Sequence, residues 1–247
     1  MRTAGIIPAR WASTRFPGKP LAKIHGKTMI RRVYEQCMKC EALDFVIVAT
    51  DDARIVGEVE SFGGEVVMTS TLHHSGTERC SEVAEMLTKQ GETVDAVVNI
   101  QGDEPFIEPK QIGQVITLLQ KSNVGIATLI KKIDDPQMVS NPNVVKVVTA
   151  SDGKALYFSR AAIPFVRNAA QKHTEDKQRF YKHIGIYGYR TEVLKNIVSL
   201  PKGLLEQAEM LEQLRWLEHG FSIFTGITDF ESIAVDTPED LSKIFNK

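Results

Sequence analysis

Short apolar runs alternate along the first half of the chain with longer segments of helical period, which is the pattern of an α/β sheet protein. Residues 3–8, 45–50 and 94–101 are rich in β-branched side chains and too short for buried helices, so they read as strands. Between the first two, Ile30, Val33, Cys37 and Cys40 recur at helical spacing and lay one apolar face on a helix over 28–42. Further helices are predicted over 53–62, 76–90 and 109–121. Strand–helix–strand units in this order call for a mostly parallel sheet, right-handed crossovers and helices on both faces.

The regularity weakens after about residue 123. Strands are predicted at 124–130, 144–149, 155–159 and 184–189 without long helices between them, and the polar stretch 168–178 reads as an exposed loop. Helical period returns over 206–219, with Met210, Leu214 and Leu217 on one face and Glu212 and Gln213 on the polar side. A last strand near 232–235 leads into a helix from about 238. No repeat or linker divides the chain, so its 247 residues are expected to form one domain.

Composition changes this picture little. Hydrophobic residues make up 43% and charged residues 25%, ordinary for a globular protein. A formal net charge of -1 gives no global attraction for nucleic acid or an anionic membrane, so neither is expected as a partner. An anionic ligand then needs a local cluster of basic groups. Three cysteines make no disulfide framework; Cys37 and Cys40 fall late in a predicted helix, on its apolar stripe, where packing is the expected role. With no apolar run near the roughly 20 residues of a membrane span and no apolar leader at the start, a cytoplasmic location is expected.

Three segments hold candidate chemistry. The first, IPARWASTRFPGKP, follows the first strand directly, at the carboxyl edge of the sheet where open α/β folds bind ligands. Arg10, Arg15 and Lys19 supply cations that suit phosphate oxygens, although the loop matches neither a Walker A nor a dinucleotide fingerprint. The second, NIQGDEP, presents Asp103 after a buried strand, and magnesium commonly takes one or two carboxylates together with substrate phosphates. The third, VDTPED, places Asp236 just after the predicted last strand; Asp236 or Thr237 followed by Pro238 is equally an ordinary helix start. Sequence spacing does not pair Asp103 with Asp236.

The segments IIPARWASTRFPGKPL, HSGTER, VNIQGDEPFI, NPNVVKVV, ALYFSRAAIPF, HIGIYGYR, EMLEQLRWLEHG and VDTPEDL occur in this order and together resemble the 3-deoxy-manno-octulosonate cytidylyltransferases, or CMP-Kdo synthetases, over nearly the whole chain. The resemblance implies a three-layer, Rossmann-like nucleotide-diphospho-sugar transferase fold with a mixed, mostly parallel sheet. It also implies a homodimer built around residues 155–200, and transfer of CMP from CTP to Kdo for lipopolysaccharide synthesis. At matching positions it implies that Arg10, Ser13, Arg15 and Lys19 hold the nucleotide, with Lys19, Asp103 and Asp236 catalytic and the two aspartates on Mg2+. Arg79, Gln101, Arg160, His183, Tyr187, Glu212 and Gln213 would line the sugar pocket, with Arg79 and Arg160 the candidates for the sugar carboxylate. Ala234 departs from the glycine expected before VDTPED. A cytidylyltransferase for another acidic sugar, such as sialic acid, and a catalytically silent nucleotide-binding regulator remain alternatives.

Overall fold

A computed structural model describes residues 1–12, 16–167, 180–231 and 234–245. Its first half is the alternation read from the sequence: β1 (Thr3–Ala9), the small hairpin β2 (Lys23–Ile24) and β3 (Lys27–Thr28), α1 (Met29–Cys37), β4 (Phe45–Thr50), α2 (Ala53–Ser61), β5 (Glu65–Met68), α3 (Gly76–Lys89), β6 (Ala96–Asn99) and α4 (Pro109–Leu119). The second half adds β7 (Ile126–Lys132), α5 (Pro136–Ser140), β8 (Lys146–Thr149), β9 (Ala155–Ser159), β10 (Tyr181–Arg190), α6 (Thr191–Val198), α7 (Leu204–Glu209), α8 (Glu212–Glu218), β11 (Ile223–Ile227) and α9 (Pro238–Phe245).

The main sheet runs in the order β11-β7-β10-β6-β1-β4-β5, with β8 on β10 and β9 on β8. Its pairs β1–β4, β1–β6, β4–β5 and β7–β11 are parallel, whereas β10 is antiparallel to both β6 and β7. The fold is therefore the mixed, mostly parallel three-layer arrangement expected. Alternation along the strands sorts side chains between its two faces. Ile7, Val48 and Val98 enter one core with α1, α2 and α4; Ile6, Ile47 and Val97 enter the other with α3, α6 and α8.

After β1 the chain crosses to β4 on one side, and later returns to place β6 on the other. The carboxyl ends of β1 and β6 thus flank a topological switch point, the usual place for a ligand in such sheets. A third, smaller core joins this edge to the end of the chain. Val235, completely buried, packs with Ile24, Met29 and Ile244, and with the partly buried Phe16, Phe106 and Leu241.

Several expectations are corrected. The helix over 28–42 stops at Cys37, though Cys40 remains buried in the same core. The helix over 206–219 is two helices, broken at Met210, which has a left-handed backbone (φ 52°) and is 77% exposed. Gln213 is consequently buried, not on a solvated face. Of the strand expected near 232–235, residues 232 and 233 lie outside the described residues, and 234 and 235 are not strand. The loop expected at 168–178 lies outside them altogether. Edge strands β5 and β11 and helix α6 were not anticipated.

Trimming the Val235 side chain should loosen this third core alone. Val235→Ala is expected to cost about 1–3 kcal/mol of local stability, seen as faster amide hydrogen exchange in α9 with little change in β1 and β4. A uniform rise across the sheet would instead place α9 in the main cooperative unit.

Candidate active site

The loop after β1 turns back on itself before reaching the short 3-10 helix Lys19–Leu21. Gly18 makes the turn with φ 71°, and its N–H donates to the Trp11 carbonyl at 3.0 Å. A Cβ at Gly18 would come within 2.9 Å of the Trp11 ring, so the turn needs glycine for both conformation and space. Trp11 is itself covered by the Arg54 guanidinium, 3.4 Å from the ring centroid, and Arg54 is held by Asp52 at the N-terminus of α2. Trp11 is therefore the floor of the turn that aims Lys19.

The loop after β6 lies directly beside it. A Cβ on Gly102 would sit 2.7 Å from the Pro8 carbonyl oxygen, so the two loops touch only because residue 102 lacks one. Asp103 follows, and its backbone carbonyl accepts from the Val235 N–H at 2.9 Å. That bond brings the next residue, Asp236, to the same cleft. Thr237 and Asp240, not Asp236, form the cap of α9: Thr237 Oγ1 accepts from the Asp240 N–H at 3.2 Å and donates to the Asp240 carboxylate at 3.1 Å. The Asp236 carboxylate points elsewhere. Lys19 Nζ donates to Asp103 Oδ2 at 2.6 Å and to Asp236 Oδ1 at 3.3 Å. Carboxylates 133 positions apart in sequence thus converge on one cation.

The cleft holding these groups has a volume of about 420 Å³ and is also lined by Arg10, Pro20 and Gln101. Arg10 is exposed, with one guanidinium N–H toward the His74 carbonyl at 3.4 Å. Ser13 and Arg15 lie outside the described residues. Ala234 is exposed, so its methyl group meets no crowding.

Behind the cleft, β10 carries a bulge between Ile184 and Tyr187. The Thr128 hydroxyl fills it, reaching the Ile186 and Ile184 carbonyls at 2.8 and 3.2 Å, while Gln101 Nε2 donates to the Gly185 carbonyl at 3.0 Å. His183 Nε2 lies 3.0 Å from Thr128 Oγ1 and shares a hydrogen bond with it. Burial keeps the His183 ring neutral. Burial pushes its pKa down to about 3, and its ring packs against Phe158 and Tyr187. Tyr187 is buried, in edge contact with Trp216. Glu212 accepts from Thr77 Oγ1 at 2.8 Å; burial raises its pKa, against the pull of hydrogen bonds from Thr77 and Ser75.

The two arginines differ from the expectation. Arg79 is 1% exposed, and its guanidinium is taken up by Asp51 at 2.7 Å and by the Thr69 hydroxyl. It is a buried tie between the end of β4, the end of β5 and the first turns of α3, not a free fork for a ligand carboxylate. Arg160 donates to the backbone carbonyls of Glu209 (2.7 Å), Pro142 (3.1 Å) and Met210 (3.5 Å), which fastens β9 to α7. Asp51 and Thr128 escaped the sequence reading. Asp51 had a usable signal, since it directly follows a buried parallel strand; the role of Thr128 depends on a bulge that no pattern announces.

The depressed His183 pKa fixes the direction of a pH effect. Below pH 6.5 the unfolded chain binds a proton at this histidine that the folded chain refuses until about pH 3. Its stabilisation is whole above pH 6.5 and drains away as pH falls. Relative to His183→Gln, the wild type should lose up to about 1.4 kcal/mol per pH unit on acidification through that window, read from urea midpoints. Parallel pH profiles for the two proteins would refute the burial account.

Comparison with known proteins identifies the family. Residues 4–229 match the cytidylyltransferase family. A 3-deoxy-manno-octulosonate cytidylyltransferase of Parabacteroides distasonis is 54% identical over 98% of this chain and 96% of its own length; that of Bacteroides thetaiotaomicron is also 54% identical over the same shares. A solved CMP:2-keto-3-deoxy-manno-octonic acid synthetase, complexed with CTP, superposes with a TM-score of 0.89 at 40% identity, covering 99% of this chain and 97% of that one. At 14% identity, a 4-diphosphocytidyl-2C-methyl-D-erythritol synthase from Anaerococcus prevotii shares the fold alone, with a TM-score of 0.62 over 98% of this chain and 94% of its own. The chain belongs to the cytidylyltransferase family and, within it, to the 3-deoxy-manno-octulosonate cytidylyltransferases.

Proposed function

We propose that the chain transfers CMP from CTP to the anomeric hydroxyl of 3-deoxy-D-manno-octulosonate (Kdo), with Mg2+ as cofactor. The anomeric oxygen attacks the α-phosphorus, the bond to the β-phosphate oxygen breaks, pyrophosphate leaves, and the hydroxyl proton is released. The observation that carries this reading is the convergence of Asp103 and Asp236 on one cation at the switch point.

That donor set fits magnesium. Both carboxylates are hard oxygen ligands already gathered about a positive charge, and among the described residues no group of three or more His, Cys, Asp or Glu forms a metal cage. Magnesium often takes one or two carboxylates and completes its shell with phosphate oxygens and water. When bound, it would neutralise phosphate charge and make the attacking hydroxyl more acidic. The chain supplies the positioning on which nucleotidyl transfer mainly depends. Arg10 and Lys19 face the cleft to take phosphate oxygens, and the Gly102–Pro8 contact keeps their loops together. On the sugar side, Gln101 is oriented by the bulge of β10. His183 and Tyr187 stand on that same strand, and Glu212 and Gln213 open α8 across from it.

The lipopolysaccharide pathway, a cytoplasmic location and a homodimer belong to the same proposal. Among the described residues no helix is long and apolar enough to cross a membrane. Supporting a dimer, Leu156 and Phe165, in and after β9, are 59% and 88% exposed, and Leu204 in α7 and Met210 just after it are 81% and 77% exposed. Ser159 and Arg160 tie these two elements together through Glu209. Exposed apolar side chains grouped in this way are typical of a surface covered by a partner.

A pyrophosphate-release assay with Mg2+, offering each of four nucleoside triphosphates against Kdo and sialic acid, should respond only to CTP with Kdo. Release with sialic acid and none with Kdo would overturn the substrate. Asp103→Asn and Asp236→Asn should each fold normally and lose at least about 100-fold in kcat, the scale of lost transition-state charge stabilisation. Near-native turnover in either would remove that aspartate from the mechanism.

A further inference from the structure

The Lys19 ammonium stands where two metal-ligating carboxylates would hold their ion. Magnesium–oxygen distances are about 2.0–2.1 Å. An ion bound by the oxygens that Lys19 now contacts at 2.6 and 3.3 Å would compete with its Nζ for them at close range. Three positive charges at such separations repel strongly, and the Lys19 side chain is only 14% exposed, so water screens little of that repulsion. The two cations compete for the same oxygens.

We propose that Lys19 is the resident counter-ion of the metal site. Its ammonium holds Asp103 and Asp236 together until a triphosphate offers it a new anion, so that the metal enters with the nucleotide and binds poorly alone. This inference rests on the reading of these aspartates as metal ligands given above.

The chemistry of the exchange balances. Lys19 brings one positive charge to the two carboxylates and supplies each with a hydrogen bond. A nucleoside triphosphate brings its own excess of negative charge to the same cleft, beside Arg10. Lys19 can then exchange carboxylate oxygens for phosphate oxygens by rotating its flexible stem, with the backbone turn at Gly18 unchanged. Asp103 and Asp236 then lose the Lys19 charge, and a dication can take its place between them. No cation passes through an unpaired state, which is the costly condition in a partly buried site. Lysine suits this exchange better than arginine, because an ammonium is a compact charge with no planar fork to match.

The test needs neither nucleotide nor sugar. Mn2+, a paramagnetic stand-in for Mg2+, is titrated into nucleotide-free protein and free Mn2+ is read by electron paramagnetic resonance. Lys19→Met should bind Mn2+ about tenfold or more tightly than wild type, since it removes both the competitor and the repulsion. Lys19→Gln, which keeps a donor for Asp103, should show the same gain and carries the test should the methionine variant fold poorly. Lys19→Arg should stay as weak as wild type, and adding Asp103→Asn to Lys19→Met should abolish the gain. Equal Mn2+ affinity in wild type and the folded neutral variants would overturn the proposal. Because no turnover is measured, failure of the CTP and Kdo assay would sink the proposed reaction while leaving this result readable on its own.

Discussion

One ion pair organises the carboxyl edge of this sheet: the Lys19 ammonium between Asp103 and Asp236. Each partner arrives from a different part of the chain, and each is aimed by a separate packing device. Gly18 over Trp11 turns Lys19 inward, the Gly102–Pro8 contact sets Asp103, and the buried Val235 delivers Asp236. Two carboxylates with no cation between them would repel one another, so the geometry of the cleft needs a positive charge at its centre at all times. On the proposed exchange, lysine alone and a metal together with the nucleotide would be two ways of meeting the same requirement.

The other buried charges obey the same constraint and serve the surrounding loops. Arg79 pairs with Asp51, Arg215 with Glu206 in a two-pronged bridge at 2.6 and 2.7 Å, and the buried Lys182 with Glu231. Lys146, wholly buried, donates to the Asn141, Val144 and Arg160 carbonyls at 2.8, 2.6 and 2.6 Å, while burial pulls its pKa down. Each group joins separate parts of the chain: Arg79 the ends of two strands and a helix, Arg215 the helices α8 and α7, Lys182 the strand β10 and the segment after β11, and Lys146 the strand β8 and the loop before it. Regular elements make the core; charged ties set the connections over which the ligand binds. The fate of Arg79 follows from this, because its buried guanidinium is held by Asp51 and Thr69 and is 1% exposed.

Legibility in the sequence divides along the same line. The strands Phe45–Thr50 and Ala155–Ser159 and the start of α3 at Gly76 could be read to the residue, since apolar composition and period dictate them locally. The edge strands β5 and β11 could not. Glu65–Met68 has no buried face to impose alternation, and Ile223–Ile227 is interrupted by Thr225 and Gly226. For the site, position after a strand pointed to Lys19 and Asp103, because the carboxyl edge of a parallel sheet is a local inference. It did not pair Asp103 with Asp236. Their meeting depends on one backbone hydrogen bond from Val235 and on a small third core, both products of tertiary packing. The ambiguity over Asp236 as a helix cap likewise needed the Thr237–Asp240 pair to resolve it.

The failures of pattern reading are themselves informative about where chemistry sits. Helical period ran unbroken through Met210, yet the backbone there is left-handed, and that single reversal shifts the phase of the next helix so that Gln213 turns inward. Strand alternation ran through Gly185 and Ile186, yet a bulge there turns one carbonyl toward Gln101 and gives Thr128 carbonyls to bond. Gly18, another departure, aims Lys19. Each irregularity costs ladder or helix hydrogen bonding that a purely structural protein would keep, and each borders the same cleft or the helix across from it. Other departures, such as the positive φ of His25 and the register shift between Val148 and Thr149, fall outside it, so an irregularity points to chemistry only where it also brings polar groups into a cleft, as these three do.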